Sequence, residues 1–182
     1  MSKLKNRTIK KCSETKVVQT HRVLPFDLNH HQTLFGGNLM SWIDNTASIS
    51  AARHSRGITV TASIDSLDFL HPLPSNHSVC IESYVSGVGN SSMEVFCKIM
   101  GEDLMTGERY LAATSFSTFV SMKSESNPTV VVPLIEPTTK EEKLVCSGYE
   151  KRHQKRLLNR EFNEQFANVI SYSAAWEDEK NE

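Results

Sequence analysis

Apolar residues along this chain repeat with two periods, and the changes of period mark its elements. Val17 to Leu24 reads as a strand stopped by Pro25, because proline cannot donate to a strand ladder. From Gly37 to Arg53, Leu39, Ile43, Ala47 and Ala51 recur every four residues, which predicts a helix closed by Gly57 a few positions on. Four strand-like segments follow, at roughly 59–69, 78–87, 92–100 and 110–122. Their β-branched content and alternation (Met93, Val95, Cys97, Ile99) favour strands, and short turn-rich joins such as Gly87–Asn90 and Gly101–Asp103 favour antiparallel neighbours. One long helix embraced by long strands predicts an α+β domain.

The pattern changes after residue 123. Ser124 to Pro128 opens a linker of extended or irregular character that continues through Pro133 and Pro137. Beyond Lys140 charge dominates, and Glu150 to Phe166 reads as a helix whose Leu157, Leu158, Phe162 and Phe166 form a thin apolar stripe. A peripheral helix against the domain or a neighbouring subunit is the plain reading, and a nucleic-acid or membrane-surface helix is the alternative. The expected organisation is a basic arm at 1–13, a domain at 14–136 and a charged, largely helical extension at 137–182.

Charge sharpens that division. The 182 residues carry a formal net charge of -1, which is a cancellation: +5 over residues 1–16, -5 over 17–139 and -1 over 140–182. An acidic body argues against a nucleic-acid surface, and no apolar run is long enough for a secretory signal or a membrane span, so a cytoplasmic protein without membrane insertion is expected. Cys12, Cys80, Cys97 and Cys146 are widely spaced with no C-x-x-C pair, which reads as reduced thiols and supplies no metal framework. Only six basic residues lie within 17–139, so this body alone offers few cations to an anionic ligand.

On a helical wheel from Phe35 to Arg53, apolar and small residues cover about 200° of arc, and Asp44 is the only ionisable group before Arg53. A water-facing side would normally carry Lys or Glu, so enclosure by the chain's own sheet and by a second subunit is expected. A lone enclosed carboxylate is either a hydrogen-bonded structural group or a base or nucleophile in a partly dry pocket. Gly36 and Gly37 at the helix start allow a ligand close to amides that no helical carbonyl satisfies, and such a terminus favours an oxyanion. Together these features suggest acyl transfer or hydrolysis.

Four separated motifs carry a family resemblance. Pro25-Phe26-Asp27-Leu28-Asn29, Leu34 to Asp44 with its Phe-Gly-Gly-Asn start, Val60 to Phe69 with Pro72, and Gly89-Asn90-Ser91-Ser92-Met93 resemble the hotdog-fold acyl-CoA thioesterases, specifically the cytosolic acyl-CoA hydrolase group, over about residues 14–135. The resemblance implies a curved antiparallel sheet wrapped around one long central helix. It also implies a homo-oligomer whose minimal active unit is a dimer, with a trimer of dimers, a hexamer, as the larger assembly. The implied reaction is hydrolysis of acyl-CoA to free coenzyme A and a fatty acid at the dimer interface, with no metal and no cofactor, since coenzyme A belongs to substrate and product. Carried onto this chain, Asp44 activates or positions water, Asn29 acts from the facing subunit, and Thr61 supports the site. Gly36 or Gly37 supplies an amide to the thioester carbonyl, and Gly89, Ser91 and Ser92 contact coenzyme A.

A thioester has weak resonance stabilisation and a good leaving group, so a base and an oxyanion donor suffice; direct attack by Asp44 through a mixed anhydride is the other route. A non-catalytic acyl-CoA-binding module on the same fold is the competing function. A hydratase is disfavoured because the first histidine after Asp44 is His54, ten positions on. Of the remaining candidates, His30-His31 reads as loop or pocket rim, Arg53-His54 as helix-dipole complementation, Asp65 as a hydrogen-bonded structural group and Asp68 as a rim charge.

Overall fold

The structure, a computed structural model, describes residues 7–123 and 131–174. Its elements in chain order are β1 (Ile9–Lys11), α1 (Cys12–Thr15), β2 (Val17–Arg22), α2 (Gly36–Ser55), β3 (Thr59–Phe69), β4 (His77–Val88), β5 (Ser92–Asp103), β6 (Arg109–Ser121), β7 (Leu134–Glu136), α3 (Lys140–Ser147) and α4 (Tyr149–Ala167). A single 3-10 turn lies at Pro25–Asp27. Five strands form one sheet in the order β2-β4-β5-β6-β3, every neighbouring pair antiparallel, and α2 packs on it. This is the hotdog arrangement. The opening of the expected linker, Ser124 to Pro128, lies outside the described residues.

The four-residue repeat of α2 is the seam of the core. Leu39, Ile43, Ala47 and Ala51 are all 1% exposed or less, against Val79, Ile81 and Val85 of β4, Val95, Cys97 and Ile99 of β5 and Phe119 of β6. Thr46 and Ser50 share the buried side, and their polar groups are met: the Ser50 and Ser83 hydroxyls are 2.7 Å apart, and Ser83 also reaches Thr46 O at 3.2 Å. Small buried hydroxyls allow close helix-to-sheet approach without orphaned donors. The helix start is Gly36 rather than Gly37. Its end is a left-handed Arg56 (φ 54°) rather than Gly57, with Arg56 N–H donating to Ala52 O.

The opposite side of α2 is bare in the single chain. Met40 is 42% and Ile49 37% exposed, and the 11-residue edge strand β3 exposes Val60 and Ile64 as well. A long apolar edge strand left unpaired is a template for another chain.

Residues 7–16 join the same body. β1 pairs in parallel with β7, in register Ile9 with Leu134 and Lys11 with Glu136. Lys10 Nζ donates to Arg53 O (3.0 Å) and His54 O (2.7 Å), so a lysine from the arm caps the negative end of α2. His54 is fully buried and acts differently from a charged dipole partner: its Nε2 lies 2.9 Å from Pro133 O, and burial lowers its pKa, holding it neutral. α3 begins with a capping box in which Thr139 Oγ1 accepts from Glu142 N–H and the Glu142 carboxylate accepts from Thr139 N–H. Lys98 Nζ ties α3 to the sheet through Glu141 (2.8 Å) and sits 3.5 Å from Glu82.

Contacts divide the chain after Tyr149. In the second unit, α4 continues to Ala167 with no buried residue, and its Phe162 and Phe166 rings stack 6.3 Å apart on an exposed stripe with Leu158. Among the described residues no helix is long and apolar enough to cross a membrane.

Candidate active site

Asp44 sits on the third turn of α2, half-buried beside the start of β3. Thr61 O–H donates to its Oδ1 at 2.8 Å, so the structure joins two of the expected site residues. The other carboxylate oxygen, Oδ2, has no protein partner among the described residues. One oxygen held and one free is the arrangement a base needs to accept a proton from a positioned water. The Asp44 charge also helps burial push the Cys97 thiol beneath it up to about 12, with burial the larger cause, so Cys97 stays protonated and is no nucleophile.

Two turns back, the start of α2 faces a second group. Asn29 and Gly36 line a cleft of about 440 Å³ whose remaining walls include Leu34, Leu39, Phe69 and Leu73. Asn29 Oδ1 accepts from His31 N–H at 2.9 Å, and its Nδ2 donates to Thr33 Oγ1 at 3.0 Å, which leaves one amide N–H of Asn29 without a partner among the described residues. The Gly36 and Gly37 amides likewise have no carbonyl partner there, whereas Asn38 and Leu39 donate back to Phe35 O. A Cβ at Gly37 would lie 2.5 Å from the exposed Phe35 ring, which would have to shift to admit it. The donors and the carboxylate do not meet within one chain. Gly36 and Asp44 are eight residues apart on a continuous helix, about 12 Å along its axis.

The family profile described as thioesterase superfamily matches residues 31–108. The Bacillus subtilis uncharacterized acyl-CoA thioester hydrolase YkhA is 53% identical over 91% of this chain and 95% of its own length. The chain belongs to the thioesterase superfamily. Its fold superposes on the Staphylococcus aureus acyl-CoA hydrolase in complex with butyryl coenzyme A, coenzyme A and coenzyme A disulfide, at a TM-score of 0.82, 36% identity and coverage of 88% of this chain and 97% of that one. That enzyme has also been solved with an aspartate, a threonine or an asparagine replaced by alanine. An apo-hexameric acyl-CoA thioesterase superposes at 0.79 with 36% identity, over 84% of this chain and 97% of that one.

In this thioesterase the third expected group, the Gly89–Ser92 turn, joins β4 to β5. Gly89 N–H donates to Ser92 O and Ser121 N–H donates to Ser91 O, both at 2.9 Å. His30 and His31 are exposed with rings 3.8 Å apart, and among the described residues no cluster of three or more His, Cys, Asp or Glu side chains is placed to hold a metal ion. Asp65 is hydrogen-bonded by Ser63 (2.5 Å) and Thr118 (2.6 Å), as expected of a structural group. Asp68 is exposed.

Reading the sequence missed Asp27. It is 7% exposed; its Oδ2 accepts from Leu24 N–H (2.9 Å), its Oδ1 is 3.4 Å from Asn38 Nδ2, and its carbonyl accepts from Phe35 N–H (2.8 Å). Asp27 therefore fastens the loop that carries Asn29 to the first turn of α2, and so sets the cleft. Its position two residues before Asn29 in the Pro-x-Asp-x-Asn motif was the available signal, since an aspartate two residues after the proline that opens a 3-10 turn can reach back to the amide before that proline.

Proposed function

We propose that the thioesterase hydrolyses acyl-CoA to coenzyme A and a carboxylic acid by water attack at a site shared between two copies of the chain. The observation that carries the reading is the division of the machinery into two half-sites on one helix. Asp44 with its Thr61 partner lies at one, and the open Gly36 and Gly37 amides with Asn29 lie at the other.

A second copy laid against the bare side of α2 and the edge of β3 pairs the half-sites reciprocally, because a two-fold interface matches residue i of one chain with j of the other and the reverse. Asp44 Oδ2 then takes the proton of water, Thr61 holds Oδ1, and Asn29 of the facing chain orients water or thioester. The glycine amides receive the charge that develops on the thioester oxygen. The thiolate of coenzyme A leaves without needing a metal. Gly89, Ser91 and Ser92 contact the coenzyme A portion. The relatives support this reading: the aspartate, threonine and asparagine replaced singly in the Staphylococcus aureus hydrolase are the residue types of Asp44, Thr61 and Asn29. The hexameric relative fits a dimer-based assembly, a trimer of dimers, for this chain as well.

Thiol release from a panel of acyl-CoAs tests the assignment. Asp44→Ala and Asn29→Ala are expected to lower kcat/KM by about a hundredfold or more, the range of a lost general base or positioned donor. Variant rates equal to the parent's would remove both residues from the mechanism.

A further inference from the structure

The acidic body offers few cations to the anionic half of acyl-CoA, and among the described residues the arginine that reaches the Gly89–Ser92 turn comes from the N-terminal arm. Arg7 is half-buried. Its Nη2 donates to Gly89 O at 2.8 Å and to Val132 O at 2.5 Å, and its Nε donates to Val132 O at 2.8 Å. Val132 in turn donates its N–H to Asn90 O at 2.9 Å, so turn, arm and the strand leading to β7 close into one ring of hydrogen bonds. Nη1 has no partner among the described residues, which leaves a charged guanidinium edge beside the turn.

We infer that Arg7 is a substrate-positioning residue for the nucleotide half of acyl-CoA: its Nε and Nη2 hold the turn, and its Nη1 edge meets a phosphate. This deepens the proposed function and rests on it, since it takes the Gly89–Ser92 turn to contact coenzyme A. The residue type matters in both roles. A guanidinium is a planar fork that bridges two carbonyls and still presents donors to an anion, whereas a lysine ammonium is a point charge that does one or the other. Backbone bonds also hold the turn, and the Tyr149 ring covers Gly87 next to it. The rest of the arm has a different duty, as Lys10 caps α2 away from the turn.

The test uses the full chain and two substrates with the same acyl group, acyl-CoA and S-acyl-pantetheine, which lacks the phosphorylated nucleotide. For Arg7→Met, the ratio of kcat/KM on acyl-CoA to that on acyl-pantetheine should fall by about tenfold to a hundredfold, mostly through KM, the size of a lost charged hydrogen bond. The KM for acyl-CoA should also depend less steeply on salt. Arg7→Lys should fall between, and Lys10→Met should leave the ratio at the parent value, because it loosens the arm without touching the turn. Equal losses on both substrates, or the same change of ratio from Lys10→Met, would reduce Arg7 to a structural clamp and overturn the inference. A parent that hydrolyses both thioesters with equal kcat/KM overturns it too. A parent inactive on both substrates refutes the proposed function itself. Should Arg7→Met fail to fold, Arg7→Lys and the salt dependence of the parent read the same ratio.

Discussion

Mixing two inactive chains decides whether the site is shared. The helix sets the magnitude: Gly36 and Asp44 stand eight residues apart, about 12 Å along α2, whereas groups acting on one thioester carbon must each lie within about 3 Å of a reacting atom. An intrachain site would therefore need α2 to break, and its Leu39-Ile43-Ala47-Ala51 seam is buried without interruption. Suppose Asn29→Ala and Asp44→Ala chains are unfolded together, refolded and allowed to pair at random. About half of the pairs are then mixed, and each mixed pair has one site with both residues intact and one with neither, so about a quarter of the parent activity returns. The background from the two single variants stays near a hundredth and does not obscure it. Thiol release from butyryl-CoA is the assay, with differently tagged chains and mass spectrometry to confirm that mixed pairs formed. No recovery in confirmed mixed pairs would refute the two-chain site. Full recovery would equally refute it, because reciprocal pairing limits each mixed pair to one working site.

Two predictions concern the frame around the site. A Cβ at Gly87 would lie 2.0 Å from the Tyr149 ring, so Gly87→Ala should destabilise by about 1–3 kcal/mol in urea denaturation, and adding Tyr149→Ala should cost less than the sum of the two single changes; strict additivity would show that the ring does not lie over Gly87. His54 titrates below its ordinary value of 6.5, because burial, together with the nearby Lys10 and Arg7 charges, disfavours the imidazolium more than its bond to Pro133 and the Glu14 charge favour it. The unfolded chain therefore binds the proton more readily than the folded one. The His54 contribution to stability is complete above about pH 6.5 and is lost as pH falls through the lower folded value. His54→Gln should flatten the fall of the urea midpoint between about pH 6.5 and 5, and an unchanged slope would place the titration elsewhere.

Elements with a long period were legible in the sequence, and devices built from two or three residues were not. β3 falls at its expected bounds, β6 is shifted by one residue at the expected length, and β4 and β5 run two and three residues longer, because β-branched alternation persists over their length. β1 and β7 hold three residues each, too few to show a period, and β7 lies between Pro133 and Pro137 in what read as a linker. α3 lies in the expected largely helical extension but was given no bounds of its own, although Thr139 to Glu142 spells a capping box. At the site, the pairing of Asp44 with Thr61 followed from the motifs, whereas the tether from Asp27 to Asn38 and the clamp from Arg7 to Gly89 depend on which carbonyl or amide a side chain reaches after folding.

The uncharged wheel of α2 carries information of another kind. Folding of one chain accounts for Leu39, Ile43, Ala47, Ala51, Thr46 and Ser50, which face the sheet and are buried. It does not account for Met40 and Ile49, or for the absence of Lys and Glu from the open side where Asp44 stands alone. A solvated helix side gains nothing from lacking charge, and exposed apolar residues on an unpaired edge strand invite association. The surplus of apolar character over what the single chain buries is what the proposed two-chain site would cover, and on α2 the only carboxylate is the proposed base. Desolvation by a second chain would strengthen both the hold of Thr61 on Asp44 and the pull of Asp44 on water, since each is electrostatic and water no longer competes. A chain kept monomeric by charged substitutions at Met40 and Ile49 should for that reason lose turnover even with Asp44, Thr61 and Asn29 intact.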